Sequence, residues 1–376
     1  MRNKKKILRA VTSAQSLVFC RDVMVKMRAV GYDMVAVTSP GPELDSLRHD
    51  DGFHCVAVPM HRRISPVADL VSLVRLVIVM AKERPWVVHS MTPKAGLLCM
   101  IAAWLTGVPV RVHTFTGLVW PTATGLKRRL LMMTDRITCA CATHVIPEGK
   151  GVMHDLQHGG ITSKPMRVLG HGNVKGVDIE RFDPSRLGAQ AASGAFTFLF
   201  VGRIVGEKGI NELVEAFARL HEEQPATRLV LVGNYETELD PLSQGTRRII
   251  DAMDAIETPG PKRGDDLVSA YAEADCFVMP SYREGFPNVV LEAGAMGLPS
   301  VVTDINGSRE IVENGKNGLV VPPRDAAALY DAMKLMATDN EARQRMAREA
   351  RPMIVSRFEC GYVQRCQIEF YKDVMG

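Results

Sequence analysis

The chain has 376 residues, 46% hydrophobic and 23% charged, which is more than one ordinary core needs, suits two domains and excludes a disordered protein. Against 42 Asp and Glu stand 46 Lys and Arg, a net charge of +4 too small to point to nucleic acid as a partner. The eight cysteines include no CxxC pair, and Cys139 and Cys141 are too close for a zinc knuckle, so they read as reduced thiols in a reducing cytoplasm.

In chain order, the basic start Lys4-Lys5-Lys6 runs into an apolar stretch, 7–11, that Arg9 interrupts; it is too short for a signal peptide, so no leader is expected. KILRAVT predicts a strand, 15–30 a helix, YDMVAVTS a strand, and Pro40-Gly41-Pro42 a turn. HCVAVPM then predicts a strand, 67–82 a helix, WVVHSM a strand, 94–105 a helix and VPVRVHTF a strand. Strands alternating with helices imply right-handed βαβ units and a parallel sheet. The apolar runs at 70–81 and 95–105 fall short of the ~20 residues that span a bilayer. Two further basic clusters, His61-Arg62-Arg63 and Lys127-Arg128-Arg129, lie in this half; they face something anionic or form a solvated surface.

Between 169 and 195 the pattern lapses into Gly, Asn, Asp, Pro and Ser. The expected division is therefore a first domain over 1–175, a linker over 176–195, and a second domain over 196–351. FTFLFVG, RLVLVG, AIET, CFVMP, PSVVT and LVVP supply the strands of a second open α/β sheet. The stretch 352–376 predicts a helix that either ends the second domain or crosses back onto the first.

Two blocks carry chemistry. VGRIVGEKG, 201–209, directly follows a strand, and ligands in open α/β sheets bind beyond the carboxyl ends of strands. Gly202 there allows close backbone approach, while Arg203 and Lys208 suit a diphosphate; the string is neither a Walker loop nor a dinucleotide GxGxxG. The second block, 280–323, begins PSYREGFPNVVLEAGAMG. Glu284 and Glu292 flank a turn and a helix that starts near Asn288, so two carboxylates can accept hydrogen bonds from the hydroxyls of one ligand beside unpaired helix-start N–H groups. Glu292 sits among Val289, Val290, Leu291, Ala293 and Ala295, an unusually apolar setting for a charge without a task.

GRIVGEKG, LVLVGNYE and EGFPNVVLEAGAMGLPSVVTDINGSREIVENGKNGLVVPP together resemble the retaining glycosyltransferases of family four. TSPGPEL, VPMHRRISPVADL, VVHSMTPKAGLL and GVDIERF look like its bacterial branch that builds surface polysaccharides. The resemblance implies the GT-B fold: α/β, with two Rossmann-like domains whose parallel sheets face an interdomain cleft. It implies that Arg203 and Lys208 neutralise the donor diphosphate, that Glu292 binds the nucleotide ribose, and that Glu284 binds the donor sugar. Phe286, Pro287, Asn288 and Val289 would line the donor beside these. The loop around 259–263 would cradle the base, and Ser13 and Ser16 would approach the phosphates from the acceptor side.

Two departures stand out. Family members often carry a T-x-H block facing the reacting sugar; here Thr116 holds the last place and His113 sits three residues earlier, so either residue could make that contact. Lys175 replaces the usual Asn in KGVD, whereas Asp178 is kept. The resemblance further implies retention of anomeric configuration; the donor expected is a UDP-sugar carrying a hexose or N-acetylhexosamine. The acceptor would be a polyprenyl-diphosphate-linked sugar, reached at an anionic cytoplasmic membrane face. No cofactor is implied, and no hydrophobically flanked Asp-x-Asp is present to hold a metal; Asp265-Asp266 reads as a helix start. The rival readings are a nucleotide-sugar epimerase, to which EGFPNVVLEA is foreign, and a non-catalytic nucleotide-sugar-binding protein, which the Thr116 departure favours.

Overall fold

A computed structural model describes residues 3–61, 64–186, 194–236 and 240–375. The chain divides into two compact units: Met1–Lys175 together with Gly361–Gly376, and Gly176–Cys360.

The first unit runs β1 (Asn3–Ala10), α1 (Arg21–Ala29), β2 (Asp33–Thr38), α2 (Pro42–His49), β3 (His54–Ala57) and α3 (Pro66–Glu83). It continues with β4 (Pro85–Met91), α4 (Pro93–Leu105), β5 (Val110–Phe115), α5 (Gly125–Cys141), β6 (His144–Pro147) and α6 (Lys150–His158). Proline opens both α3 and α4, where its missing N–H costs nothing and its fixed φ suits a first turn. The six strands are parallel, in the order β3-β2-β1-β4-β5-β6. Their continuous apolar runs require cover on both faces. One face packs against α3, α4, α5 and α6, the other against α1 and α2. The expected helix over 15–30 is instead a 3-10 turn, Ala14–Phe19, followed by α1; the tight turn sends Ala14 and Leu17 into the core.

The second unit runs β7 (Phe196–Val201), α7 (Ile210–Glu223), β8 (Thr227–Val232), α8 (Gln244–Ala252), β9 (Ile256–Gly260) and α9 (Gly264–Ala272). After it come β10 (Cys276–Met279), α10 (Asn288–Ala295), β11 (Ser300–Thr303), α11 (Ser308–Ile311), β12 (Gly318–Val321), α12 (Ala326–Thr338) and α13 (Asn340–Phe358). Its six parallel strands lie in the order β12-β11-β10-β7-β8-β9. Counted from the first strand of each unit, the two sheets share one order, that of the doubly wound dinucleotide-binding fold.

The first stretch ends at Lys175, but the segments expected as a linker and as a single terminal helix are placed differently. Val177 and Phe182, placed in a linker, are buried in the second core. Arg351 fastens that segment by donating to the carbonyls of Ile179 and Phe182 and to the Asp183 carboxylate. Residues 187–193, the rest of the expected linker, lie outside the described residues apart from its last two positions. At the other end the expected single helix breaks at Glu359: residues 352–358 complete α13, and a new helix, α14 (Cys360–Met375), begins. The Val177 N–H bonds the Phe358 carbonyl and the Cys360 N–H bonds the Val177 carbonyl, so backbone pairing takes over where helical bonding stops.

α14 belongs to the first unit, with Phe370 and Tyr371 in its core. The Tyr371 hydroxyl accepts from Arg9 Nη1 at 2.6 Å and lies 2.6 Å from His89 Nδ1. Arg9 is 1% exposed, and a buried guanidinium without such partners costs several kcal/mol. The helix therefore closes a polar cluster as well as an apolar surface. Of the amino-terminal lysines, Lys6 is paired with Glu83 and Asp33.

Candidate active site

In the second unit the strand order reverses between β7 and β10, and ligands of such sheets lie beyond the carboxyl ends of the strands at that crevice. The two sequence blocks leave β7 and β10 at this end. A 3-10 turn, Gly206–Lys208, follows β7, and its Glu207 N–H bonds the Asp240 carboxylate. Tyr282, after β10, donates its N–H to the Glu207 carbonyl at 2.9 Å. Gly209 ends the turn at φ +71, where an added Cβ would sit 2.0 Å from the Pro280 carbonyl oxygen. Only a residue without a side chain lets the two loops meet this closely.

The approach brings charges together. Lys208 Nζ donates to Glu284 Oε1, and both side chains are largely covered, at 13% and 14% exposure. Ser281 Oγ donates to the same carboxylate oxygen at 2.7 Å. Arg203 reaches Glu236 at 2.8 Å and Glu207 at 2.6 Å, and Arg283 reaches the other Glu207 oxygen at 3.2 Å. Burial alone would raise the Glu207 pKa, but the hydrogen bond from Arg203 and the charges of Arg283 and Arg203 hold it below the ordinary carboxylate value.

Glu292 projects from α10, half-buried. Its Oε2 accepts from the hydroxyl of Tyr271, a buried residue of α9, at 3.0 Å. Burial and the neighbouring Glu292 charge push that phenol well above its usual pKa, so it remains a donor. Phe286 is buried against Phe358, while Asn288 and Val289 open the helix half-buried. Pro287 precedes α10 as its cap residue. Gly307, the cap of α11, lies so close that its missing Cβ would stand 2.4 Å from the Gly285 carbonyl oxygen, which pins the GFPN turn. Gly202 donates its N–H to the Val232 carbonyl at 2.9 Å. The loop over 259–263 lies at the carboxyl end of β9, mostly exposed.

Sequence reasoning missed the partners that aim these groups. Glu207 and Ser281 lie within the two blocks and could have been found as neighbours of Arg203 and Glu284. Tyr271 and Asp240 come from other elements and leave no local signal, whereas Glu236 ends the LVLVGNYE block, where its acidic side chain beside a strand end was the available sign.

The four remaining predicted residues lie in the first unit. Ser13 and Ser16 face each other with hydroxyl oxygens 3.0 Å apart at the start of the turn after β1. Beside them Thr12 and Thr92 join the ends of β1 and β4 through their hydroxyls at 2.7 Å. Thr92 holds φ +70, a strained conformation for a β-branched residue of the sort found at functional sites. His113 is 1% exposed: its Nδ1 lies 2.9 Å from Ser90 Oγ, and Gly96 of α4 lacks the Cβ that would strike the ring. Thr116, half-buried, lines a cavity with Thr92, His113, Trp120, Thr134 and Asp135.

Burial pushes His113 down to about 3 and the Asp135 carboxyl up to about 7. His113 therefore stays neutral in the folded protein, whereas the unfolded chain protonates it below its ordinary 6.5, and stability falls as pH drops through that window. Asp135 acts in the opposite sense. Its folded form keeps a proton that the unfolded carboxyl loses near 3.8, so stability drains away as pH rises from there to about 7. Asp135→Asn removes this loss. Its stability relative to wild type should climb by about 1.4 kcal/mol per pH unit between about pH 4 and pH 7. Urea denaturation at several pH values, followed by tryptophan fluorescence, measures it, and a pH-independent difference would contradict the assignment.

Among the described residues no group of three or more His, Cys, Asp or Glu side chains could hold a metal ion.

Cations and carboxylates gathered at the switch point of the second doubly wound unit suit an anionic ligand that also bears hydroxyls. Residues 186–353 match the family described as glycosyl transferases group 1, and residues 17–172 match the glycosyl transferase 4-like domain. The Staphylococcus aureus capsular polysaccharide biosynthesis glycosyltransferase CapM is 31% identical over 370 residues, 95% of this chain and 94% of that protein. The Escherichia coli UDP-Gal:alpha-D-GlcNAc-diphosphoundecaprenol alpha-1,3-galactosyltransferase is 30% identical over 334 residues, 85% of this chain and 83% of that one. Among solved structures, Anabaena Alr3699/HepE in complex with UDP and glucose aligns with a TM-score of 0.80 at 17% identity, covering 98% of this chain and all of that one. The chain belongs to the family-four glycosyltransferases of GT-B fold.

Proposed function

We propose that this glycosyltransferase moves a hexose or N-acetylhexosamine from a UDP-sugar to a polyprenyl-diphosphate-linked sugar of a growing bacterial surface glycan. It keeps the anomeric configuration and needs no metal. The observation that carries the reading is the meeting of Lys208 and Glu284 beside Arg203 at the β7–β10 switch point. A diphosphate arriving there competes with Glu284 for Lys208 and with Glu207 and Glu236 for Arg203. Once Lys208 turns to phosphate, Glu284 is left, held by Ser281, to accept from sugar hydroxyls. Glu292, aimed by Tyr271, accepts from the ribose.

As the anomeric bond to phosphate lengthens, negative charge grows on the leaving oxygen. Arg203, Lys208 and the N–H groups opening α10 oppose it in place. The acceptor hydroxyl attacks from the same face and passes its proton to the departing phosphate oxygen, so no side-chain nucleophile takes part. In the first unit Ser13 and Ser16 serve the donor phosphates and Thr116 the reacting sugar, while His113, walled in by Ser90 and Gly96, supports Thr116 from behind. The names of the two bacterial relatives, one of capsular polysaccharide biosynthesis and one acting on a GlcNAc-diphosphoundecaprenol, support a lipid-linked or capsular glycan as the product.

The test is a thermal-shift panel of UDP-, GDP- and ADP-sugars followed by an acceptor assay. A UDP-sugar should raise the melting temperature in proportion to ln(1 + [L]/Kd). UDP should then be released only when a GlcNAc-diphospho-lipid is supplied. A shift with GDP- or ADP-sugars alone would overturn the donor, and UDP release indifferent to the lipid would overturn the acceptor.

A further inference from the structure

Helices α3, α4 and α5 cover one face of the first sheet, with α4 packed between the other two. The inward sides of the outer pair are accounted for: Ser72, Leu76 and Met80 on α3, and Thr138 and Cys139 on α5, are buried. Their outward sides ought to be polar, because a surface helix buries one stripe and solvates the rest. They are not. On α3, Val67, Leu70, Val71, Val74 and Ile78 form a stripe at helical spacing, each exposed by 46% or more. On α5, Leu126, Leu130, Met133 and Ile137 form a second stripe, with Leu126 82% exposed. Trp104 and Leu105, at the end of α4, add 58% and 57% exposed side chains to the same layer. Single exposed apolar residues are ordinary, but two stripes on neighbouring helices mark an interaction surface.

The charges say what kind. Arg75 and Lys82 are exposed on α3, and Lys127 and Arg129 on α5. The acidic residues nearby are otherwise engaged: Asp69 bonds Lys94, Glu83 bonds Lys6, and Asp135 lines the internal cavity. The outer layer therefore presents apolar stripes bordered by one sign of charge. A second copy of this chain would set these cations against each other. An anionic bilayer satisfies both parts at once, with acyl chains for the stripes and headgroup phosphates for the cations. No described helix is long and apolar enough to cross a membrane, so the layer would lie in the interface.

We propose that the outer side of α3 and α5 docks the protein on an anionic lipid surface. This deepens the proposed function and rests on its lipid-linked acceptor, which can be met only at a bilayer. The experiment is sedimentation with vesicles of equal parts phosphatidylglycerol and phosphatidylcholine, against pure phosphatidylcholine. The wild-type protein should partition onto the anionic vesicles and release in high salt. The pair Val74→Glu with Leu130→Glu should weaken partitioning at least tenfold. Lys127→Glu with Arg129→Glu should do so by a similar factor at low salt, since each cation near such a surface contributes about fivefold. Both variants should keep the wild-type melting-temperature response to the UDP-sugar, which shows that they fold. Wild type that ignores anionic vesicles, or variants that bind as wild type does, would overturn the proposal. So would a wild-type dimer that Val74→Glu with Leu130→Glu splits in gel filtration. The donor response is read separately: loss of vesicle binding with an intact UDP-sugar shift removes the docking face alone, and the reverse removes the donor assignment alone.

Discussion

Lys208→Ala should lower turnover of the donor by about 10²–10³-fold, the cost of removing one fixed group that meets charge developing in a transition state. The fold should survive, because the Lys208 ammonium contacts the rim carboxylate of Glu284 and not the apolar core. Glu284 keeps the Ser281 hydroxyl as a donor in the variant. Arg203→Ala should fall by a comparable factor, and Glu207 would retain Arg283. Turnover at saturating UDP-sugar, with the melting temperature of each variant as the control, is the measurement. Near-normal rates in both variants would remove the diphosphate assignment.

Gly209→Ala should destabilise the second unit by about 2–4 kcal/mol, combining a left-handed backbone with overpacking against Pro280. The added methyl cannot be absorbed by a rotamer change, because what it meets is a backbone carbonyl oxygen. Gly297→Ala is the matched control: it also has positive φ, +80, but no atom within 4 Å of the new Cβ, so its cost should stay near 1 kcal/mol. The sequence supplies a convenient probe. All three tryptophans, Trp86, Trp104 and Trp120, belong to the first unit, so their fluorescence follows that unit while circular dichroism follows both. In urea the Gly209 variant should lose ellipticity early and keep its tryptophan transition in place. Equal shifts for both glycine variants would show that the close approach to Pro280 carries no energetic weight.

The grouping of the candidate donor residues was legible because they are local in sequence. Arg203 with Lys208, and Glu284 with Glu292, each lie on one strand-end turn or the helix it leads into, and the strand preceding each turn announces itself as a nearly continuous apolar run. What aims them was not legible. Tyr271 meets Glu292 from α9, and Asp240 holds the Glu207 N–H from the segment after β8; neither spacing has a period or a motif. The two sheets could be read from strands alternating with helices, yet the ends of the domains could not. Phe358, Tyr362 and Phe370 look like one amphipathic stretch in sequence, but the backbone pairing of Val177 with Phe358 and Cys360 breaks the helix between them. His113 shows the converse limit. A histidine three residues from a motif invites a catalytic reading, and only the fold brings Gly96 and Ser90 around it.

The return of α14 to the first unit has a consequence for biosynthesis. On the ribosome the opening domain emerges early, but its Arg9 and His89 must wait for Tyr371, which is made only after the entire second unit. At ~5–20 residues per second that delay runs to tens of seconds. Throughout it the nascent chain exposes the apolar seat of Phe370 and leaves Arg9 with His89 and Met91 but without the Tyr371 hydroxyl. The amino-terminal half thus cannot complete its core until the last helix arrives.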